Sequence, residues 1–220
     1  MATASYSASV FITGTSTGLT AAPGEVMSDL AIGGARVTWQ IANVAKRIVD
    51  PATAIVIYDD TTGVPYVHAF AIDYLFGTVT LSVAAATSIR IQGNYLPRSE
   101  ITNAYEYDIS LSKTLADTSI FQNGFVKRTE TLGDVSGSLS CYDNTSTSYG
   151  GVTLLSVFLS TTPKVLEVSM GATVLRALVL MENSDFGASV DGVQTLSSSF
   201  SCASVGALTT GQEVDFAFGT

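Results

Sequence analysis

Few side chains in this 220-residue sequence could carry out chemistry. His68 is the only histidine, so a metal site with several histidines is excluded, and a catalytic triad would have to be built on this residue. It stands in the apolar run VPYVHAFAIDY with no nucleophile beside it in the sequence. A packed or surface imidazole is therefore a better interpretation than a general base.

Three aspartates, Asp59, Asp60 and Asp73, offer oxygen ligands for a hard cation, but their spacing does not match an EF-hand loop. A turn over 59–63 explains the first two, because small polar residues bond their own backbone in turns and Gly63 is free to adopt a positive φ. The sequence also lacks a P-loop, a nucleophile elbow and a dinucleotide-binding glycine motif. We therefore expect no enzyme activity, no cofactor and no metal ion.

The two cysteines, Cys141 and Cys202, are too few for a disulfide scaffold. Each falls on the apolar parity of its strand, Cys141 with Leu139 and Cys202 with Phe200. Two buried thiols are the favoured interpretation. A disulfide between adjacent strands is the alternative, and it is less expected in a chain made in the cytoplasm.

The chain is acidic but poor in charge. Ten Lys and Arg against nineteen Asp and Glu give a net charge of −9, yet charged residues make up only 13% of the sequence, against roughly 25% in ordinary soluble domains. Although 46% of residues are hydrophobic, no apolar run approaches the ~20 residues that a membrane helix needs. This composition favours a surface partly covered by protein–protein contacts; a monomer with a Ser/Thr-rich surface is the alternative.

Acidic residues concentrate in the second half. Residues 105–220 hold five Lys and Arg against twelve Asp and Glu, and no basic residue follows Arg176. A groove that grips phosphates needs clustered Lys and Arg, so specific nucleic-acid binding is not expected. Nucleic acid passing close by without being held stays compatible with this charge.

The stretch Tyr105–Asn144 predicts two strands separated by a polar loop. The apolar members are Tyr105, Tyr107, Ile109 and Leu111 in the first run and Val135, Leu139 and Cys141 in the second. Tyr105 and Tyr107 could stack bases on an exposed sheet, but no Lys or Arg is interleaved with them. Packing of both tyrosines in the core is the stronger interpretation.

The rest of the chain predicts short strands separated by Gly, Asp or Pro signals, a pattern typical of a sandwich or barrel. The predicted strands are 5–13, 36–41, 53–58, 66–74, 78–83, 88–94, 165–170, 173–181, 193–203 and 214–218, with a long loop over 14–34 and turns over 59–63, 75–77 and 183–187. Apolar residues at helical spacing predict one short helix over Val152–Ser160. We predict a mainly β, sandwich or barrel-like fold. A turn signal near Pro97 separates a β-rich portion, 1–98, from a core over 99–220. The portion 1–98 either forms its own domain or completes one sandwich with the core.

Taken in order, these elements resemble the major tail protein, or tail tube protein, of long-tailed bacteriophages. The motifs that carry the resemblance are Asp117-Thr118 with Phe121, Lys127-Arg128, the GDVSGS strand at 133–138, and the helix followed by VLEVSM. Upstream, AKRIVDPATAIVIYD, IDYLFGTVTLSV and IRIQGNYLP are similar to the N-terminal region of longer members. The match covers most of residues 36–205. The portion before Tyr105 departs from the simpler members and is interpreted as an added β module.

The resemblance implies a β-sandwich tail tube fold whose protomers close into hexameric rings, stacked into a hollow tube through which DNA leaves the virion. It implies synthesis in the host cytoplasm, a place in the phage tail and no membrane partner. The implied partners are further copies of the chain and the tape measure, tail terminator and distal tail proteins, while DNA passes without specific binding. The loop after Tyr105 is then the expected contact between subunits, with candidate residues Asp117, Thr118, Phe121, Gly124, Lys127 and Arg128.

Other functions are compatible with an all-β chain. Another virion component, such as a head–tail connector, a decoration protein or an outer tail module, is one alternative. A carbohydrate-binding β-sandwich is another, but it would expose aromatic side chains in loops, and the only tryptophan, Trp39, lies on the inward parity of a strand. An enzyme with an aspartate-based site has the least support.

Overall fold

A computed structural model describes residues 8–19, 24–30, 35–117, 128–142, 148–149, 152–188, 194–203 and 214–218. Over these ranges the chain is mainly β, as predicted, with a curled half-barrel sheet and a sandwich-like arrangement. The strands are β1 (Ala8–Thr13), β2 (Thr17–Gly18), β3 (Glu25–Asp29), β4 (Thr38–Ile41), β5 (Val56–Asp59), β6 (Phe70–Asp73), β7 (Thr78–Leu81), β8 (Ile89–Gln92), β9 (Asn94–Tyr95), β10 (Arg98–Glu100), β11 (Ala104–Asp117), β12 (Arg128–Tyr142), β13 (Ser148–Tyr149), β14 (Val152–Thr153), β15 (Lys164–Met170), β16 (Thr173–Ala188), β17 (Gln194–Cys202) and β18 (Val214–Phe218). A 3-10 turn spans Val44–Lys46, and the helix α1 spans Leu154–Phe158.

The larger sheet has the strand order β10-β1-β15-β16-β17-β12-β11, and β18 also pairs with β16. One face of this sheet is apolar because side chains alternate along each strand and the inward parity is hydrophobic. Its buried members are Val10, Ile12, Val135, Leu139, Cys141, Leu166, Val168, Ala177, Val179, Met181, Leu196 and Phe200, with Ile101 beside them and Val157 and Phe158 of α1 packed onto them. The predicted core positions of the second run, Val135, Leu139 and Cys141, are confirmed.

Helix α1 is present where predicted but is shorter than 152–160. Val152 and Thr153 form strand β14, which pairs with β13. Thr153 is extended (φ −82°, ψ 153°) and its hydroxyl accepts the Ser156 amide at 3.3 Å, so it caps the helix instead of joining it. The extended N-cap makes the helix start two residues later than the apolar spacing indicates.

The smaller sheet has the order β5-β8-β3-β4-β7-β6. Trp39 points into its core, as expected from its parity, and is only 3% exposed. The loop predicted over 14–34 is wrong in part, because β3 lies between β8 and β4 in this sheet. Only Met27 of β3 is buried, so the strand carries too little apolar alternation to be recognised without its neighbours.

Two of the three predicted turns are confirmed. After β5, the Asp59 carboxylate accepts the amides of Thr61 at 2.9 Å and Thr62 at 2.8 Å, and after β6 the Gly77 amide bonds the Asp73 carbonyl at 2.9 Å. The turn predicted over 183–187 is wrong: β16 runs through it, with a bulge between Met181 and Ser184. Pairing with β17 holds this polar segment extended against its local turn preference.

The two sheets meet through a third apolar cluster of Ile48, Leu75, Val165 and Leu178. Strands β1 and β10 belong to the larger sheet, and a domain boundary at residue 98 stays a prediction. Both cysteines are thiols: Cys141 is buried, as expected, and its Sγ donates to the Leu196 carbonyl at 3.5 Å, whereas Cys202 is only partly buried. No helix in the described ranges has the length and apolarity to cross a membrane.

Candidate assembly surface

Small hydroxyl and acidic side chains cover the outer face of β17, β12, β11 and the 182–185 segment of β16, opposite the apolar core. Leu180 of β16, which pairs with Ser201, bounds this surface. We call this surface the serine face; its residues are Glu106, Asp108, Ser110 and Ser112 on β11, Ser136, Ser138 and Ser140 on β12, Ser197, Ser199 and Ser201 on β17, and Glu182 and Asp185 on β16. The opposed sets across β11, β12 and β17 are Ser110, Ser136 and Ser201; Asp108, Ser138 and Ser199; and Glu106, Ser140 and Ser197. Because side chains alternate between the two faces of a strand, the residues between the buried apolar positions form polar rows across the strands on the opposite face.

The hydroxyls of the serine face bond across the strands. The Ser140 and Ser197 oxygens lie 3.0 Å apart, Asn183 Nδ2 donates to Ser199 Oγ at 3.4 Å, and Ser201 Oγ donates to the Glu182 carboxylate. These short side chains are tied to one another, so few of them project far from the sheet. Among the side chains that the structure describes on this face, four are carboxylates and none is Lys or Arg.

Tyr105 does not lie in the core as predicted. A register shift between Ala104 and Glu106 makes Tyr105 the extra residue of a β-bulge. Its ring stacks on Tyr142 with centroids 4.6 Å apart, and each tyrosine is 47% exposed. Tyr107 keeps the core parity and packs partly buried against the core. The bulge therefore reverses the face that simple alternation assigned to Tyr105.

Strands β11 and β12 extend beyond the sheet as a two-stranded arm. Among the described residues, β17 pairs with β12 over Ser136–Tyr142, whereas pairing between β11 and β12 continues to Asp117 and Arg128. We call the paired segments 112–117 and 128–134 the arm. Leu111, predicted on the core face, is 53% exposed although its partner Val135 on β12 is buried, so the core at this level extends to β12 and not to the outer strand β11.

The structure places two of the six candidate loop residues. Asp117 and Arg128 stand opposite each other as the last pair of the arm. The other four, Thr118, Phe121, Gly124 and Lys127, lie outside the described residues. The contact role of this set stays a prediction.

Strand β11 is also an edge. It ends the strand order of the larger sheet, and within the described ranges no strand pairs with its outer side. A 14-residue edge strand presents a row of backbone donors and acceptors that can pair with a strand of another chain.

The residues singled out for chemistry have structural partners. The Asp59 carboxylate accepts the Thr87 hydroxyl and the turn amides, so the pKa of Asp59 lies below its usual value, with the Thr87 hydrogen bond as the largest cause. Asp60 pairs with Arg90, and Asp73 accepts the amides of the turn after β6. No group of three metal-ligating side chains occurs in the described part of the chain.

His68 is exposed at an open cavity of about 310 Å³ between the 62–68 and 83–86 loops. Its ring lies edge-on to Tyr66, with centroids 5.3 Å apart. The neighbouring Val67 is 84% exposed. Asp59, Thr62 and Tyr66 also line this cavity, but the Asp59 carboxylate accepts the turn amides of Thr61 and Thr62 and the Tyr66 hydroxyl donates to the Val83 carbonyl.

Sequence reasoning missed a buried ion pair. Glu167 of β15 and Arg176 of β16 stand opposite each other and are 1% and 4% exposed. The sequence contains a signal for this ion pair. Glu167 and Arg176 each interrupt an apolar strand, and they are equally distant from the tight turn that joins β15 to β16.

No protein-family model matches the sequence, and no curated protein is significantly similar to it. Among solved structures, the chain is similar to one described as "Tail of empty GTA particle computed with helical refinement, C6 symmetry". The two are 12% identical, the alignment covers 56% of this chain and 87% of that chain, and the TM-score is 0.42.

Proposed function

We propose that this chain is a structural virion protein, the subunit of a bacteriophage tail tube. The observation that carries the proposal is the serine face, a surface of hydroxyls and four carboxylates that agrees with the function implied by the sequence resemblance. In the proposed tube this face lines the channel through which DNA leaves the virion.

The chemistry of the serine face suits a surface past which DNA slides. Carboxylates repel the DNA phosphates, and the described side chains of this face include no Lys or Arg that could displace the counterions condensed on DNA, so the main source of non-specific DNA affinity is missing. Small hydroxyls keep the wall hydrated and free of long side chains. Glu106, Asp108, Glu182 and Asp185 supply the repulsion.

Strand β11 supplies a means of ring closure. Its free outer edge can pair with a different edge of the next copy, which is a heterologous contact that closes into a ring at the right rotation. Such pairing satisfies the backbone groups that β11 otherwise leaves open. Hexameric rings, the tape measure, terminator and distal tail partners, and the virion location follow from the resemblance and belong to the same proposal.

Negative-stain electron microscopy of the purified full chain tests this proposal. We expect rings or hollow tubes with a central channel. A monodisperse monomer at high protein concentration, measured in parallel by light scattering, would overturn it. A decoration protein or connector would instead give discrete particles that do not extend into tubes.

A further inference from the structure

Glu167 is the buried carboxylate at the junction of the two sheets, and cations occupy both of its oxygens. Arg98 Nη1 of β10 donates to Glu167 Oε1, and Arg176 Nε donates to Oε2 at 2.6 Å. The Glu167 side chain is only 1% exposed, whereas that of Arg98 is 27% exposed. Two guanidinium groups therefore share one negative charge, and one of them reaches the surface.

Arg47 brings a third guanidinium group to the same junction. Its Nε donates to the Ile41 carbonyl at 2.9 Å, and its backbone lies against the 75–77 turn, where a Cβ at Gly77 would come within 2.6 Å of the Arg47 carbonyl oxygen. On the other side of this turn, Arg176 Nη1 donates to the Leu75 carbonyl at 2.5 Å. The turn therefore has a guanidinium group on either side.

Arg47 lacks an ion-pair partner among the residues that the structure describes. The pKa of Arg47 lies below its usual value, first because the side chain is partly buried and then because Arg176 and Arg98 repel its charge. The repulsion shows that the three cations lie within electrostatic reach of one another.

Positive charge is in excess at this junction. Glu167 and Asp73 are the carboxylates that act on Arg176, so two negative charges face three positive ones. Asp73 Oδ1 also accepts two amides of the turn after β6. The excess is unusual in a chain whose net charge is −9, and an anion that accepts hydrogen bonds here would relieve the repulsion.

We propose that Arg47 and Arg98 bind a small oxyanion of the phosphate or sulfate class at the junction of the two sheets. Both side chains are partly open to solvent, and each guanidinium carries five N–H donors in a planar fork that suits oxyanions. Arg47 donates one of these hydrogens, from Nε, and Arg98 donates one, from Nη1, to described partners. The remaining donors are available to the anion, and the buried Arg176 adds its charge from the interior.

Such an anion joins the two sheets. Arg47 follows the 3-10 turn at 44–46, beside the smaller sheet, whereas Arg98 belongs to β10 of the larger one. Binding should therefore stabilise the folded chain in proportion to the occupancy of the site. Strands β10 and β11 are at opposite ends of the strand order of the larger sheet, so the site is separate from the edge proposed for ring closure and does not depend on assembly.

Isothermal titration calorimetry of inorganic phosphate into the full chain, at constant ionic strength, tests the site. We expect saturable binding of one phosphate per chain, weakened at least tenfold in Arg47→Gln. Arg90→Gln is the matched control, because Arg90 pairs with Asp60 in the smaller sheet and its side chain is 27% exposed, as that of Arg98 is. This variant should bind phosphate within twofold of the unmodified chain. No saturable binding to the unmodified chain, or equal weakening in both variants, would overturn the inference.

Thermal denaturation gives a second measurement. Phosphate and sulfate also stabilise proteins by exclusion from the surface, so the comparison is between variants, each measured in sulfate and in chloride at equal ionic strength. Sulfate should raise the melting temperature more in the unmodified chain and in Arg90→Gln than in Arg47→Gln. If Arg47→Gln does not fold, Arg47→Lys keeps the charge without the planar fork and should give a reduced rise. Equal rises in the Arg47 variant and the unmodified chain would refute the site, whatever the outcome for tube formation.

Discussion

Arg176 Nε donates to Glu167 Oε2 at 2.6 Å in the interior of the protein. Arg176 Nη1 also donates to the Leu75 carbonyl at 2.5 Å, and the guanidinium lies 4.4 Å from the centre of the Phe76 ring. Arg98 adds a second cation to the Glu167 carboxylate. Burial lowers the pKa of Arg176 and Glu167 opposes that shift. This network joins the smaller sheet to the larger one.

Arg176→Met should lower the free energy of unfolding by about 3 kcal/mol, because it removes one partner of a buried pair and leaves the Glu167 charge poorly compensated. Urea denaturation measures this loss. The matched control is Arg90→Met, whose pair with Asp60 is partly exposed on both sides, and it should cost less than about 1 kcal/mol. Equal losses in the two variants would contradict a special role for the buried pair.

Two glycines with the same backbone geometry should respond differently to alanine. Gly77 has φ 62° and Gly63 has φ 67°, so Ala is strained at either position by about 1–2 kcal/mol. A Cβ at Gly77 would lie 2.6 Å from the Arg47 carbonyl oxygen, whereas one at Gly63 would meet nothing within 4 Å. Thermal denaturation should show Gly77→Ala to be the more destabilised variant. Equal melting temperatures would mean that the 75–77 turn shifts freely.

Period-two alternation predicts the parts of the fold in which one face is buried. It places Val135, Leu139 and Cys141 in the core correctly, because their strand lies inside a sheet with one apolar face. It fails at β3 and at residues 183–187, where pairing with neighbouring strands overrides local polarity.

The sequence predicts only part of the serine face. The polar parity of β11, with Glu106 and Asp108, can be read directly, but its alignment with serines on β12 and β17 depends on register, which residue types alone do not fix. Alternation places Tyr105 on the wrong face because a β-bulge adds one residue and reverses the alternation. The buried partner of Glu167 is likewise set by hairpin register.

Stability should depend on pH through Asp59. Hydrogen bonds to its ionised form, first from the Thr87 hydroxyl and then from the Thr62 amide, hold the pKa of Asp59 below its usual value. The stabilisation is therefore present above the unfolded pKa of about 3.9 and is lost as the pH falls through the folded pKa. Thr87→Val should raise the pKa of Asp59, as measured by NMR titration, and Thr80→Val, at an exposed position of β7, should not. An unchanged Asp59 pKa in Thr87→Val would show that the turn amides suffice.

Replacing the segment between the arm strands should separate folding from assembly. Asp117 and Arg128 are directly opposite, so an Asn-Gly pair in place of 118–127 can close the hairpin as a two-residue turn. We expect an unchanged melting temperature and a loss of polymerisation in light scattering. A variant that keeps 118–127 but carries Val67→Ser is the control. Loss of soluble folded protein on replacement would show instead that the segment is structural.

Reversing the charge of the serine face should convert a sliding surface into a binding one. Glu106, Asp108, Glu182 and Asp185 changed together to Lys would give the proposed channel a cluster of cations that exchange places with DNA counterions, so tubes should retain DNA with an affinity that falls steeply with salt. Filter binding at several salt concentrations measures this, and microscopy checks that tubes still form. The matched control carries Gln or Asn at the same four positions and should retain little DNA.

In an infection assay the Lys variant should block DNA passage. Unchanged infectivity with intact tubes would show that the serine face does not line the channel.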